Sequence, residues 1–309
     1  NTYTPDFTKS ACDDSTCESR EKGIYETTDN DGNPTYYYRG SAENNYVKFA
    51  DYFWRVVRIN GNGSIRIIYD GTSAHANGES SADRQYGTSQ FNTSWDNNMY
   101  VGYMYTSGES YGTGTSSTIK TNADKFYTDK LSSYASKLDA TAGFCGDRSN
   151  LNQQNGAGTG NVVTYNKGYL RVEKSTPTLI CENTNDYYTL TSTTTGNKKL
   201  TYPIGLITVD EAMLAGHSGG IFDGMHNEMK INKASYLTTG HVFYTMTSPG
   251  GYNPYDFTFW YASVFTVNIV GGFDDEATNY NYGLRPVINI RSDVTITGSG
   301  TMTDPYVVN

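Results

Sequence analysis

The chain has 309 residues, a hydrophobic content of 36%, 28 tyrosines and a formal net charge of −9. That length fits one large domain or two of ordinary size, and the tyrosines supply much of the apolar area that the low hydrophobic fraction lacks. An acidic chain without a basic block is a poor partner for nucleic acid, which is held by Lys and Arg, and no run of about 18 apolar residues is present to span a membrane.

Residues 1–22 are polar and charged and read as a loosely folded lead-in. The chain opens on Asn1 with no signal peptide, so an upstream segment is expected to have been removed. The four cysteines fit two disulfides, Cys12 with Cys17 and Cys145 with Cys181, although three connectivities are possible. Local spacing favours the first pair. The Cys12-x4-Cys17 spacing is not the tight CxxC of zinc or redox sites, and an extracellular compartment follows as the expectation.

Tyr36–Tyr38 and Tyr46–Phe49 read as short strands, with a turn at Asp29-Asn30-Asp31-Gly32-Asn33 whose glycine falls too early for a calcium loop. The clearest hairpin follows. Tyr52–Ile59 is strand-rich, Asn60-Gly61-Asn62-Gly63 is turn chemistry, and Ser64–Tyr69 returns. Arg55, Arg58 and Arg66 alternate with apolar residues there and are expected on a polar face, paired with carboxylates. Residues 71–116 form a Gly/Ser/Thr/Asn excursion packed by its aromatics, and residues 150–168 a second such loop. Between them, Ile119, Ala123, Phe126, Tyr127, Leu131, Tyr134 and Leu138 make one apolar stripe, predicting a helix over 117–138 capped by Ser117. Lys199–Ile207 reads as a strand region. It leads into Thr208-Val209-Asp210-Glu211, a capping box that predicts a short helix over 208–216 stopped by Gly216. The chain ends in strands around Leu284–Ile290, Val294–Ile296 and Pro305–Val308, which are expected to pair with the early ones. The fold class is therefore α+β, with short antiparallel strands, two helices and long loops.

The most unusual stretch is Thr245–Arg291. Ten aromatics crowd it between Tyr252 and Tyr282, and no Lys or Arg occurs between Ser248 and Leu284. Tyr and Trp give large contact area at low entropic cost while Ser, Gly and Asn give adaptable hydrogen bonds, the composition of a binding surface. Catalysis instead needs a few converging ionisable groups, and none stands out. His75, His217, His226 and His241 are scattered and read as surface or loop residues, without the helical i, i+4 spacing of a metal pair. Asp274-Asp275-Glu276 reads as a solvated loop tip. No nucleophile elbow or phosphate-binding loop appears, so the reading is non-enzymatic, with no cofactor and no metal.

Several pieces taken together resemble one group of bacterial surface proteins. They are Tyr46–Phe49 with Trp54–Arg66, Phe144-Cys145-Gly146-Asp147-Arg148-Ser149, Gly205–Glu211, Tyr244–Pro249 and Gly283–Asn289. In this order they are similar to the variable proteins of diversity-generating retroelements, in the gut-bacterial branch with a C-type-lectin-like fold. The resemblance covers roughly 23–308 and implies a lead-in over 1–22, a single such domain over 23–309 and a variable region at about 245–290. In that family a reverse transcriptase that mutates adenines rewrites the variable region, and Lys is hard to reach from the template's Asn codons. The resemblance implies a fixed scaffold (Ala262, Val264, Phe265, Val267, Gly283, Arg285, Pro286). By alternation with it, the diversified ligand-binding set falls at Tyr252, Asn253, Tyr255, Phe257, Phe259, Tyr261, Ser263, Thr266, Asn268, Val270, Phe273, Asp274, Asp275, Tyr280 and Tyr282. The implied partner is a protein or glycan on another cell or phage, with attachment to a membrane or pilus through the missing N-terminal segment. Formylglycine-generating enzymes share the broad fold, but their paired catalytic cysteines have no counterpart here. A carbohydrate-binding lectin module and a surface filament subunit are the alternative readings.

Overall fold

The computed structural model describes residues 4–12, 17–18, 21–151, 155–191, 196–218, 231–251 and 261–309. Its architecture is α+β and rich in short strands. Among the described residues, the strands of three or more residues are β1 (Gly23–Thr28), β2 (Pro34–Arg39), β3 (Tyr46–Phe49), β4 (Tyr52–Ile59), β5 (Ile65–Gly71), β6 (Ala262–Val267), β7 (Phe273–Ala277), β8 (Val287–Ile290) and β9 (Tyr306–Val308). The α-helices are α1 (Thr118–Phe126), α2 (Lys167–Lys174) and α3 (Val209–Leu214).

The first sheet grows from the β4/β5 hairpin. Its turn is closed by Asn60, whose N–H bonds Ser64 O at 2.8 Å and whose carbonyl takes Gly63 N–H at 2.8 Å. Gly63 sits at φ +81°, a conformation that favours glycine. One edge of β4 is shared by β2 and β3, with Tyr37 opposite Arg58 and Val47 opposite Trp54. The late strands return to this sheet as expected: β8 is antiparallel to β5 and β9 parallel to β3. In the second sheet β6 is central. It pairs antiparallel with β7 on one side and with the two-residue strands Phe243–Tyr244 and Gly250–Gly251 on the other. One contiguous hydrophobic core, which includes Trp54, Ile67, Phe126, Val264, Phe265 and Ile288, spans both sheets.

Helix α1 begins at Ser117, whose hydroxyl accepts Lys120 N–H at 3.3 Å. The predicted stripe is buried at Ile119, Ala123, Phe126 and Leu131. The helical path then loosens into a π-turn over Tyr127–Leu131 and tightens into 3-10 geometry over Ser132–Lys137, so the α-helix itself is shorter than the periodicity implies. Phe126 has four aromatic neighbours, Tyr52, Trp54, Tyr69 and Tyr86, at 4.4–6.1 Å between centroids. The capping box of α3 is present in both halves. Glu211 N–H reaches Thr208 Oγ1, and Glu211 Oε2 accepts Thr208 N–H, each at 3.0 Å. Both disulfides form, Cys12–Cys17 and Cys145–Cys181. These bonds are compatible with an extracellular protein, and no helix among the described residues is long and apolar enough to cross a membrane.

The structure departs from the sequence reading in several places. Arg55 and Arg66 do find polar partners, but inside the protein rather than on a polar face. Arg55 lies 3.7 Å over the Tyr46 ring and donates to Asn45 Oδ1, Ala42 O and Asn77 Oδ1. Its charge is shared with Arg84 and Arg285 around Asp70. Lys199–Ile207 is not a strand. Only Gly205 bridges, exchanging two backbone bonds with Val287, and Pro203 has no N–H to offer a ladder. A third helix, α2, forms just after the second polar loop, where Gly168 in its first turn weakens the local signal. The lead-in is not loose throughout. Ala11 and Cys12 are buried, Ala11 N–H bonds Gly216 O at 2.8 Å, and Phe7 packs on Tyr25, Tyr37 and Leu214. His217 is fully buried, with its ring nitrogens on Gly271 O at 2.7 Å and Ser235 Oγ at 3.2 Å. His75 is also buried, between Glu79 and Asp83.

Candidate functional site

The tyrosine-rich C-terminal stretch enters the second sheet at Gly250–Gly251 and continues in β6. Gly251 and Ala262 are register partners, so the chain departs from and returns to neighbouring strands around residues 252–260. The expected site residues Tyr252, Asn253, Tyr255, Phe257 and Phe259 lie outside the described residues. At the return point Tyr261 adopts φ +71°, uncommon for a residue with a side chain, and cases of this kind cluster at functional sites. Its ring stands edge-on to Trp95 at 4.0 Å, and Ala262 N–H bonds Trp95 O at 2.9 Å. The excursion between the first sheet and α1 is thus fastened to the start of β6.

Beyond the β6/β7 turn a second group of side chains gathers. Tyr280 is 52% exposed and Tyr282 half-buried, with ring centroids 6.1 Å apart. Tyr282 continues inward to Tyr244 at 5.5 Å, and Tyr244 to Phe91 at 5.5 Å. The Tyr244 hydroxyl lies 2.8 Å from Ala277 O and 3.0 Å from Tyr280 O, which pins the turn carrying the exposed ring. Glu276 shares a hydrogen bond with Tyr282, and burial pushes its carboxyl above the usual range. Burial likewise raises Asp274, opposed by a hydrogen bond with Asn268. Asp274 and Glu276 are two residues apart in β7 and therefore share a face. The acidic triplet is strand, not a loop tip.

The remaining expected site residues are placed differently. Ser263, Thr266, Asn268 and Phe273 are buried and present nothing to a ligand. The alternation reading assumes one open face, whereas all six residues of β6 are interior. Asn268 instead closes the β6/β7 turn, its Oδ1 accepting Val270 N–H at 3.1 Å and Gly272 N–H at 2.8 Å. Phe273 packs between Phe265 and His217. Val270, Asp274 and Asp275 are half-buried. Of the described members, Tyr261, Tyr280, Tyr282, Asp274 and Asp275 stay at least partly open, with Val270 near the turn. Trp95, Tyr244 and Glu276 complete the group and lie outside the expected binding set. Trp95 lies more than 160 positions upstream of Tyr261, and no local pattern joins them.

The result is an acidic, tyrosine-lined shelf without a Lys or Arg in its own segment. It can stack a flat or cationic group and offer carboxylates to it. No group of three metal-ligating side chains occurs among the described residues. No family model, no curated protein and no solved structure matches the chain.

Proposed function

We propose that this chain is a non-enzymatic, ligand-binding surface protein of the kind its motifs resemble, a diversity-generating retroelement variable protein on a C-type-lectin-like scaffold. The observation that carries this reading is the neighbourhood of two features. The exposed Tyr280, backed by Tyr282 and Glu276, follows β7, the strand that pairs with β6, while Gly251, the register partner of Ala262 in β6, and Tyr261 are the described residues on either side of 252–260. Those nine, Tyr-Asn-Pro-Tyr-Asp-Phe-Thr-Phe-Trp, continue the same composition with one acidic and no basic residue. Exposed aromatic groups rimmed by polar residues are a common mark of interaction sites, and Tyr at such sites tends to dominate the binding energy. The partner is a protein or glycan on another cell or phage, held extracellularly.

Sequencing the locus across cells of one strain tests the reading. Substitutions confined to about 245–290, at adenine-derived positions that include Tyr261, Tyr280 and Tyr282 and spare the buried Val264, Phe265 and Arg285, are expected. A segment as uniform as the rest of the chain removes the diversification claim and leaves a fixed binding module.

A further inference from the structure

Away from the tyrosine shelf, the first sheet and α3 enclose a polar cavity of about 240 Å3. Its charged lining is Arg58, Arg66, Arg171, Asp29, Asp31, Asp147, Asp210 and Glu211. The pairing among the three arginines and Asp147, Asp210 and Glu211 is unequal. Arg58 and Arg66 are direct cross-strand neighbours in β4 and β5, a repulsive arrangement. They share one carboxylate oxygen, Glu211 Oε1, at 2.9 and 2.8 Å from their Nε atoms. The other oxygen, Oε2, accepts the Thr208 N–H of the capping box. The outer nitrogens of Arg58 have no hydrogen-bond partner among the described residues, and the buried Arg66 Nε has ion-pair contact with Glu211 but no well-formed hydrogen bond. Among the described residues, Glu211 is the one carboxylate ion-paired with the two cations at this end.

The other end is the reverse. Arg171 serves two carboxylates, Asp210 at 2.7 Å from Nε and Asp147 at 2.8 Å from Nη1. Burial raises the Asp210 carboxyl and Asp147 adds to the rise, as expected for two anions sharing one cation. The two ends meet at Asp210 and Glu211, consecutive in α3, whose Cα atoms stand about 3.8 Å apart. Ala142, Leu179, Ile180 and Tyr187 add apolar surface to the lining, which also includes Asp29 and Asp31. The wall at 178–181 is held by the Cys145–Cys181 bond and by Cys181 N–H on Asn30 Oδ1 at 2.7 Å.

We propose that this cavity binds a small zwitterion of the α-amino-acid class, its carboxylate on Arg58 and Arg66 and its ammonium toward Asp147 and Asp210. Two arginines sharing one carboxylate on the Glu211 side, and two carboxylates sharing one arginine on the Asp210 side, match the two charges of one α-carbon. The volume admits a side chain against the apolar lining, and Asp29 and Asp31 disfavour an acidic one.

The test is thermal denaturation and calorimetric titration of the full chain with L-arginine, L-alanine, L-glutamate, N-acetyl-L-alanine and L-alanine amide. Arginine and alanine are expected to raise Tm with concentration, glutamate at least tenfold more weakly, and blocking either charged group to weaken alanine at least tenfold. Two variants locate the binding. Arg58→Gln removes the carboxylate partner, and Ala142→Phe, on the half-buried wall, fills the space without touching a charge. Each is expected to abolish the shift while its circular dichroism stays native. The proposal is overturned if no compound raises Tm, if a blocked alanine binds as well as alanine, or if a natively folded Ala142→Phe keeps full affinity.

Discussion

Asp70 and Arg285 meet across 215 residues of chain, Oδ1 to Nη2 at 3.0 Å, with both side chains buried. The same Asp70 oxygen lies 2.8 Å from Arg84, and Arg55 approaches the other oxygen at 3.8 Å. Three buried guanidiniums therefore lean on one carboxylate, and backbone carbonyls take further donors of Arg84 and Arg285. Arg84 reaches Glu79, Thr238 and Tyr236, and Arg285 reaches Tyr69 and Leu237. Breaking a buried pair costs more than the pair contributes, because it strands the remaining charge. Asp70→Asn, close in shape, is expected to destabilise the protein by about 3–5 kcal/mol. Chemical denaturation measures it. A loss of less than about 1 kcal/mol would show that the carbonyls suffice.

The Cys145–Cys181 bond closes a separation of 36 residues, against 5 for Cys12–Cys17. Loop-closure entropy grows with that length and assigns roughly 3–4 kcal/mol to the longer bridge. Replacing Cys145 and Cys181 together by Ser is expected to lower the unfolding free energy by more than the same change at Cys12 and Cys17. Equal losses would mean that native packing around the short loop, and not chain entropy, sets its contribution.

His217 sets a pH dependence. Burial pushes its imidazole down to about 4, from an ordinary 6.5. The native protein therefore holds it neutral while the unfolded chain takes up a proton near 6.5. Between those values the unfolded state binds more protons, so stability falls as pH falls from about 6.5 toward 4. Full protonation across that window is worth on the order of 2–3 kcal/mol. His75 acts with the opposite sign. Burial lowers it, but Glu79 and Asp83 outweigh burial and raise it, so its contribution is present at low pH and lost as pH rises. Unfolding free energies of the protein and of His217→Gln, taken between pH 4 and 7.5, separate the two. The variant should show a shallower fall toward acid, and an unchanged slope would rule out His217 as its source.

Local chemistry made much of this fold legible before any coordinates. The Asn60–Gly63 turn, the Thr208–Glu211 capping box and the Ser117 cap are each written within a few residues, and all three form. What escaped is set at long range. The acidic triplet looks like a solvated tip because polarity is all that a single strand reveals, yet pairing with β6 makes it the strand β7. Ser263 and Thr266 read as polar positions of a half-open strand beside Val264 and Phe265, although residues three apart lie on opposite faces of a strand. Coverage of both faces, which buries all four, depends on elements that no window of β6 contains. The arginines of β4 and β5 look like a solvent face for the same reason, since Glu211 comes from α3 and Asp70, at the far end of β5, meets Arg55 only across the paired strands.

Glu276 tests the shelf itself. Its carboxyl is raised by burial, opposed by the Tyr282 hydrogen bond. An acid raised in the native state is a source of instability at neutral pH. The native protein keeps the proton to higher pH than the unfolded chain does, so stability falls as pH rises through the ordinary Glu range and beyond. Glu276→Gln keeps an acceptor for the Tyr282 hydroxyl and removes the charge. It is expected to raise Tm at pH 7 and to lose that gain near pH 4, where the native carboxyl is already protonated. Tyr280→Ala, at an exposed ring, is expected to leave Tm within a degree or two, because surface substitutions usually change stability by less than about 0.5 kcal/mol. A ligand bound on the shelf reverses the ranking, since it would use the Tyr280 face and the Glu276 charge together. Both variants should then weaken binding, although one is more stable and the other unchanged, as is common where a site keeps a charge that folding disfavours. If Glu276→Gln lowers Tm at pH 7, the carboxylate is a structural anchor for Tyr282 and its place in a binding surface is lost.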